Sequence, residues 1–263
     1  MGWILRWFAC ALGFAALGAS ASTPGADLDT FIETELPRSA APGLAYARIE
    51  DGAVTAKSFG ETIKGSGERV TADTLFPIGS VTKSFTALSI VQLMEAGKLD
   101  LNDPVAQHLP DFTDSPARNV TLRQLLNHTS GFSTVQGNNH HGDSEAPEAG
   151  PRELSAQFAR LAPVNPPGTR WEYSNLNYQI LGAVIEQVSG ENYPDYINAH
   201  IFAPLGMERS AVLVGAAPSG LATGHRPWFG GVRAFEQSEL SAINAPAGGI
   251  VSSANDMASY LSM

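Results

Sequence analysis

The chain is organised around the sequence FPIGSVTK at Phe76–Lys83, which continues without interruption as SFTALSIVQLMEA at Ser84–Ala96. Neither Gly nor Pro occurs after Ser80 in this stretch, and Gly97 follows at the position where helices commonly end. The pattern predicts a helix of about four to five turns. Ser80 would lie in its first turn.

The spacing on this helix brings Lys83 to its apolar side, one turn from Ser80. Spacings of three and four residues define that side as Ser80, Lys83, Ala87, Ile90, Val91 and Met94, and the wetter side as Thr86, Ser89, Gln92 and Glu95. Burial disfavours a charged ammonium and lowers the pKa of a lysine, which suits a group that must accept a proton. The pattern therefore predicts a nucleophile with its own base, Ser-x-x-Lys, at a helix N-terminus that favours negative charge on the serine oxygen. The alternative is that Ser80 only caps the helix and Lys83 extends to water.

The residues around this tetrad resemble a known family. FPIGSVTKSFTA, followed by GKLDLNDP at Gly97–Pro104, closely resembles the penicillin-recognising serine hydrolases, within them the branch of class C β-lactamases, D-amino-acid-specific peptidases and related esterases. The resemblance continues from about Pro42 to the last residue, and PGTRWEYSN at Pro167–Asn175 resembles the second motif of the family, Tyr-x-Asn. It implies an α+β fold, a DD-peptidase/β-lactamase-like antiparallel sheet flanked by helices with an all-α subdomain.

The resemblance also implies the roles of four residues. Ser80 would be the nucleophile, Lys83 would share or remove its proton, Tyr173 would be a general base or proton shuttle, and Asn175 would orient Lys83 or the substrate. The reaction would be acyl transfer through an acyl-enzyme, without metal or organic cofactor. The sequence leaves open whether Lys83 or Tyr173 takes the first proton, and whether the small-molecule or peptide substrate is an ester, a D-amino-acid peptide or a β-lactam.

One motif of the family is not found. Its third motif, Lys/His-x-Gly on an inner strand, should follow PAGGIVSS at Pro246–Ser253, but only a capped helix follows before Met263. His225 precedes this segment and is not accepted as that motif. We therefore expect a truncated sequence that lacks the C-terminal strands of the sheet, and we expect the chain as given to be nearly inactive by itself. A catalytically degenerate member that binds peptidoglycan or peptides is the alternative.

The N-terminus and the composition predict the compartment and the partners. Arg6 precedes an apolar run that ends in Gly18-Ala19-Ser20-Ala21, so residues 1–21 are expected to be a signal peptide of a secreted or periplasmic protein, with a membrane anchor as the alternative. Cleavage would remove Cys10, the single cysteine, which excludes a disulfide framework and a catalytic thiol. It would leave 15 of the 16 basic residues against 26 acidic ones, a net charge of −11, so binding to nucleic acid or to an anionic membrane surface is not expected. No stable membrane insertion is expected once the signal is removed. The oligomeric state is not predicted.

The remaining elements follow from local patterns. Gly43–Glu50 and Ala53–Gly60 flank Asp51-Gly52 as a predicted hairpin. Helices are expected at Asp27–Leu36, from Thr121 in a capping box, around Leu154–Leu161, at Leu176–Val188 and at Asn192–Phe202 up to Pro204, with a loop at Phe132–Gly150. We expect one incomplete domain at 22–263, with a sheet and central-helix part at 22–100 and a mainly helical part at 101–240.

Other readings of the sequence are weaker. An α/β-hydrolase would need a Gly-x-Ser-x-Gly elbow, which the chain lacks. A metal site at His140, His141, Asp143 and Glu145 lacks the helical spacing of a metalloprotease motif. His128 is expected to be structural, at the end of a helix.

Overall fold

The computed structural model describes residues 24–139, 149–215, 217–235 and 241–263. Its α-helices are α1 (Pro24–Glu35), α2 (Thr82–Glu95), α3 (Val105–His108), α4 (Leu122–Leu126), α5 (Thr134–Asn138), α6 (Ser155–Ala159), α7 (Asn175–Ser189), α8 (Tyr193–Ile197), α9 (Ala203–Leu205), α10 (Ala245–Gly248) and α11 (Ala254–Leu261). Its strands are β1 (Gly43–Glu50), β2 (Ala53–Gly60), β3 (Phe76–Pro77), β4 (Ala211–Val212), β5 (His225–Trp228), β6 (Gly231–Ala234) and β7 (Ile250–Ser252). The α+β class is as predicted.

The predicted hairpin forms with the predicted bounds. β1 and β2 pair antiparallel from Gly43 opposite Gly60 to Glu50 opposite Ala53. The turn between them has φ of 48° at Asp51 and 79° at Gly52, the left-handed conformations that a two-residue hairpin turn requires. Helix α11 packs against this hairpin.

Further strands were not predicted, since the sequence analysis identified a single hairpin. β7 is the middle strand of a three-stranded antiparallel sheet with the order β3-β7-β4, and β5 and β6 form a second hairpin. β3 and β4 are two residues long, too short to show an alternating pattern. β3 nevertheless matters for the site, because its pairing with β7 fixes the chain shortly before Ser80.

Helices α2 and α7 form the centre of the core, and they pack against each other and against α10. All side chains of α7 from Leu176 to Glu186 are buried. The prediction that Thr86 and Ser89 lie on a wet side of α2 is wrong, because both are fully buried. Their hydroxyl groups are satisfied by the carbonyl oxygens of Pro246 and Phe85, so burial leaves them with hydrogen bonds.

Two local predictions are corrected and one is confirmed. The capping box at the start of α4 is present, with Thr121 and Gln124 bonded reciprocally. The predicted loop after Phe132 contains α5, which begins with a second capping box formed by Ser133 and Gln136. The helix predicted to end at Pro204 continues through a π-helical turn, Asn198–Phe202, into α9, which is capped by Gly206 in the left-handed conformation.

The residues from 101 to 240 include α3 to α9 and also β4, β5 and β6. The division of the domain into two parts stays a prediction. No helix in the described ranges has both the length and the apolar character needed to cross a membrane.

Candidate active site

Ser80 lies at a reversal of the chain between a strand and a helix. β3 ends at Pro77, the N–H of Ile78 donates to the Ile250 carbonyl at 3.0 Å, and a 3-10 turn at Gly79–Val81 leads into α2. Gly79 has a φ of 51°, which a residue without a Cβ adopts at little cost. The serine side chain is consequently exposed at the start of a long buried helix.

Tyr173 and Asn175 come from the segment that opens α7. The Ser174 N–H donates to Nδ1 of His128 at 3.2 Å, and the Thr134 hydroxyl donates to the Tyr173 carbonyl at 2.5 Å. These bonds hold the segment from the side of α4 and α5. Asn175 is the first residue of α7, so the direction of its side chain is set by the helix.

The structure brings the four predicted site residues together. The hydroxyl oxygens of Ser80 and Tyr173 are 2.7 Å apart, and Lys83 Nζ donates to Ser80 Oγ at 3.3 Å. Lys83 Nζ also donates to Asn175 Oδ1 at 2.8 Å, and the Tyr173 hydroxyl reaches the same oxygen at 3.2 Å. The Ser80 hydroxyl therefore has two neighbours that can exchange a proton with it.

Lys83 is in the environment that was expected for a proton acceptor. Its side chain is only 7% exposed. Burial lowers the pKa of the ammonium group, and the hydrogen bond with the Tyr173 hydroxyl raises it by a smaller amount. Nζ also lies 5.0 Å and 5.5 Å from the ring centroids of Tyr173 and Tyr178, whose π faces favour the cation.

A third acceptor of Lys83 was missed by the sequence analysis. Nζ donates to the main-chain carbonyl of Ala247 at 2.5 Å. A backbone oxygen can be offered by any residue, so no residue type marks this position in the sequence. The PAGG run at Pro246–Gly249 was noted only as a resemblance.

His128 supports the site and does not contact Ser80. Its Nδ1 accepts hydrogen bonds from the Ser174 N–H at 3.2 Å and from Asn177 Nδ2 at 3.0 Å. Burial, with a smaller contribution from the charge of Lys83, lowers the pKa of the imidazole from 6.5 to about 4. A neutral ring with an unprotonated Nδ1 fits these two hydrogen bonds, and the contacts agree with the expected structural role.

The candidate metal ligands His140, His141, Asp143 and Glu145 lie outside the described residues. Within the described part of the chain, no three His, Cys, Asp or Glu side chains are grouped closely enough to hold a metal ion. His225 opens β5, where its Nε2 accepts the N–H of Lys64 at 3.3 Å.

Comparison with known proteins gives a consistent result. A family model described as Beta-lactamase matches residues 28–263. Penicillin-binding protein 4 of Amycolatopsis lactamdurans is 35% identical over 179 residues, which cover 65% of this chain and 45% of that protein. Two solved structures have a similar fold. The octameric penicillin-binding protein homologue from Pyrococcus abyssi has a TM-score of 0.75 and 33% identity over 92% of this chain and 56% of that one.

The second structure is a D-alanine carboxypeptidase, AmpC, from Burkholderia cenocepacia. It has a TM-score of 0.74 and 28% identity over 90% of this chain and 64% of its own. The chain thus spans between 45% and 64% of the length of these three proteins. The family model and the two solved structures cover most of this chain, and the structures show a β-lactamase/DD-peptidase fold. The chain belongs to the beta-lactamase family of serine hydrolases.

Proposed function

We propose that this chain carries the nucleophile and the proton-accepting residues of an acyl-transfer hydrolase that works through a Ser80 acyl-enzyme. One observation carries the proposal: the exposed Ser80 hydroxyl is within hydrogen-bond distance of both the Tyr173 hydroxyl and the buried Lys83 amine. A nucleophile that touches a potential base, with the base held by a third group, is the arrangement that activated serines use. Here the third group is the amide of Asn175.

The reaction proceeds in two steps. Ser80 Oγ attacks the acyl carbon, its proton passes to Lys83 or Tyr173, and the leaving group departs with a returned proton. Water then attacks the acyl-enzyme, and Ser80 regains its hydrogen. The N–H of Ser80, near the N-terminus of α2, is suited to stabilise the oxyanion that forms in each step.

The substrate is proposed to be an ester or a D-amino-acid peptide, with a β-lactam as the poorer one. The likeness to the Burkholderia cenocepacia protein, named a D-alanine carboxypeptidase, supports a D-peptide. We also propose export of the protein, on the strength of the signal-like segment at residues 1–21. Neither point follows from the geometry of Ser80, and each needs its own measurement.

Active-site labelling tests the proposal directly. In a full-length version of the protein, we expect a fluorophosphonate or penicillin probe to label the serine, and Ser80→Ala to abolish the label because the attacking oxygen is gone. Ser84→Ala is the matched control, since Ser84 is an exposed serine of the same helix whose hydroxyl only donates to the Val81 carbonyl. Labelling of Ser80→Ala at the wild-type rate would contradict the assignment.

The substrate class is then measured with the unmodified full-length protein. Turnover of nitrocefin, of short-chain nitrophenyl esters and of peptides ending in D-Ala-D-Ala should be compared, with the ester or the peptide expected to react faster. A folded protein that binds D-peptides but forms no Ser80 adduct would instead support a non-catalytic binding module. N-terminal sequencing of the exported protein should begin near residue 22.

A further inference from the structure

The hydrogen bonds of Lys83 determine where its electron pair points when it is neutral. Nζ has three acceptors within reach: Ser80 Oγ, Asn175 Oδ1 and the Ala247 carbonyl oxygen. A neutral amine keeps two N–H bonds and one lone pair. The two amide oxygens can only accept, so they hold the two N–H bonds. The lone pair is then left on the side of Ser80 and Tyr173, the two neighbours whose hydroxyl groups can donate.

The Pro246 carbonyl, one residue before that of Ala247, accepts from a buried chain of hydroxyl groups. The Thr86 hydroxyl donates to the Pro246 carbonyl at 2.8 Å, and Thr86 Oγ1 lies 2.7 Å from the Tyr193 hydroxyl. A carbonyl cannot donate, so the one hydrogen of Thr86 goes to Pro246. Tyr193 must therefore donate to Thr86, which fixes the direction of the chain from Tyr193 through Thr86 to Pro246. Both side chains are fully buried, so water does not replace either bond.

The turn that carries Ala247 is short and is held in place from two helices. α10 is one turn long, and Thr86 on α2 binds it one helical turn after Lys83. On the other side, Pro246 packs against α7 at Gly182, where an added Cβ would lie 2.2 Å from Pro246 Cγ. Gln179 of α7 also donates to Asn244 Oδ1 at 2.6 Å, just before α10. Thr86 is thus a second polar attachment of the turn to α2, beside Lys83 itself.

We propose that Thr86 is a positioning residue for acyl transfer, an inference that rests on the function proposed above. Its hydroxyl, oriented by Tyr193, fixes the Pro246–Ala247 peptide so that the Ala247 carbonyl directs the lone pair of neutral Lys83 toward Ser80. Thr86 touches neither the nucleophile nor the substrate, and it acts through the main chain. Loss of its hydroxyl should therefore change the rate and the pH at which Lys83 accepts the proton of Ser80, and should not change the binding of substrate.

The test compares Thr86→Val, which keeps the shape and removes the hydroxyl, with Thr86→Ser, which keeps the hydroxyl. Acylation of Ser80 by a nitrophenyl ester is measured as kcat/KM against pH, together with the melting temperature. We expect Thr86→Val to lower kcat/KM by about ten- to hundredfold, because the base loses its alignment. We expect the acid limb of the profile to move to lower pH by up to about one unit, because the ammonium loses a fixed acceptor.

Three further variants separate positioning from packing. Thr86→Ser should restore most of the rate and the wild-type pH profile. Tyr193→Phe leaves the bond from Thr86 to Pro246 intact and should give a smaller loss with a shift in the same direction. Ser89→Ala is the matched control, because Ser89 is equally buried on the same helix but bonds only to the Phe85 carbonyl. It should leave the pH profile unchanged.

Several results would overturn the inference. Wild-type kinetics in a folded Thr86→Val protein would overturn it. An equal loss of rate in Thr86→Val and Ser89→Ala, with the acid limb of the pH profile unchanged in both, would also overturn it. If Thr86→Val does not fold, wild-type profiles in both Thr86→Ser and Tyr193→Phe, with no difference between them, would count against it. Absence of Ser80-dependent acylation in the unmodified full-length protein would refute the proposed function, and this inference with it. Acylation that is insensitive to Thr86 refutes the inference alone.

Discussion

The imidazole of His128 should make the free energy of unfolding depend on pH below neutrality. In the folded protein Nδ1 accepts hydrogen bonds from Ser174 and Asn177, and the ring packs beside Tyr173 and Tyr178 at centroid distances of 4.7 Å and 5.3 Å. Protonation would turn Nδ1 into a donor facing two donors. The fold therefore favours the neutral ring, and burial lowers its pKa from 6.5 to about 4.

The size and the sign of the effect follow from this difference. The unfolded chain takes up the proton near pH 6.5, so the contribution of the neutral ring is complete above that pH and is lost as the pH falls toward 4. A difference of about 2.5 pKa units corresponds to at most about 3.4 kcal/mol. Part of the ring still contacts water, and solvent screening reduces this limit, so we expect about 2 kcal/mol.

The assay is urea unfolding of the wild type and of His128→Asn between pH 7 and pH 4. Asparagine tolerates the left-handed backbone of this position, where φ is 59°, and its side-chain oxygen can accept the Ser174 N–H. The variant should be less stable at pH 7, because it lacks the ring. The gap between the two proteins should shrink by about 2 kcal/mol toward pH 4, while carboxylates common to both cancel. A gap that stays constant over this range would refute the reasoning.

Two further predictions concern the site itself. Tyr173→Phe keeps the ring and removes the hydroxyl that lies 2.7 Å from Ser80 Oγ, so the acylation rate in stopped-flow should fall by about 10²–10⁴-fold; an unchanged rate would exclude this hydroxyl from the proton transfer. Gly182→Ala places a Cβ against Pro246, and this overpacking should lower the free energy of unfolding by about 1–3 kcal/mol. The higher helix propensity of alanine should offset roughly 1 kcal/mol of that loss. Acylation should also become slower, because the Ala247 carbonyl moves with the turn. Unchanged urea unfolding together with full activity would show that α7 and α10 can move apart to admit the added Cβ without loss of stability or of acylation.

The parts of the fold that the sequence predicted have strong local signals. The Asp51-Gly52 turn determines the register of its hairpin, because residues at φ above zero are needed there and the flanking strands have equal length. The helix α5 has a comparable signal, the Ser133 and Gln136 capping box, which was overlooked in a stretch of polar residues. The strands β3 and β4 could not be predicted, since their pairing depends on residues far away in the chain.

The candidate site likewise contains groups that have a sequence signal and groups that have none. Ser80, Lys83, Tyr173 and Asn175 were predicted because motifs name side chains in a fixed order. The Ala247 carbonyl was not, because a main-chain acceptor has no sequence signature. Thr86 was placed on the wrong side of α2 since hydroxyl residues usually favour water, and only the three-dimensional structure supplies the partners that let it be buried.

The contacts of Lys83 also have a consequence for the order in which the protein folds. Lys83 meets Ala247 across 164 residues of chain, and Ser80 meets Tyr173 across 93. Helix α2 can form from its own residues within about a microsecond, whereas closing loops of this length comes later because of their entropy. We therefore expect the turns of α2 to form before the contacts that complete the site around Ser80. Reactivity would then be acquired only after both long-range contacts are made.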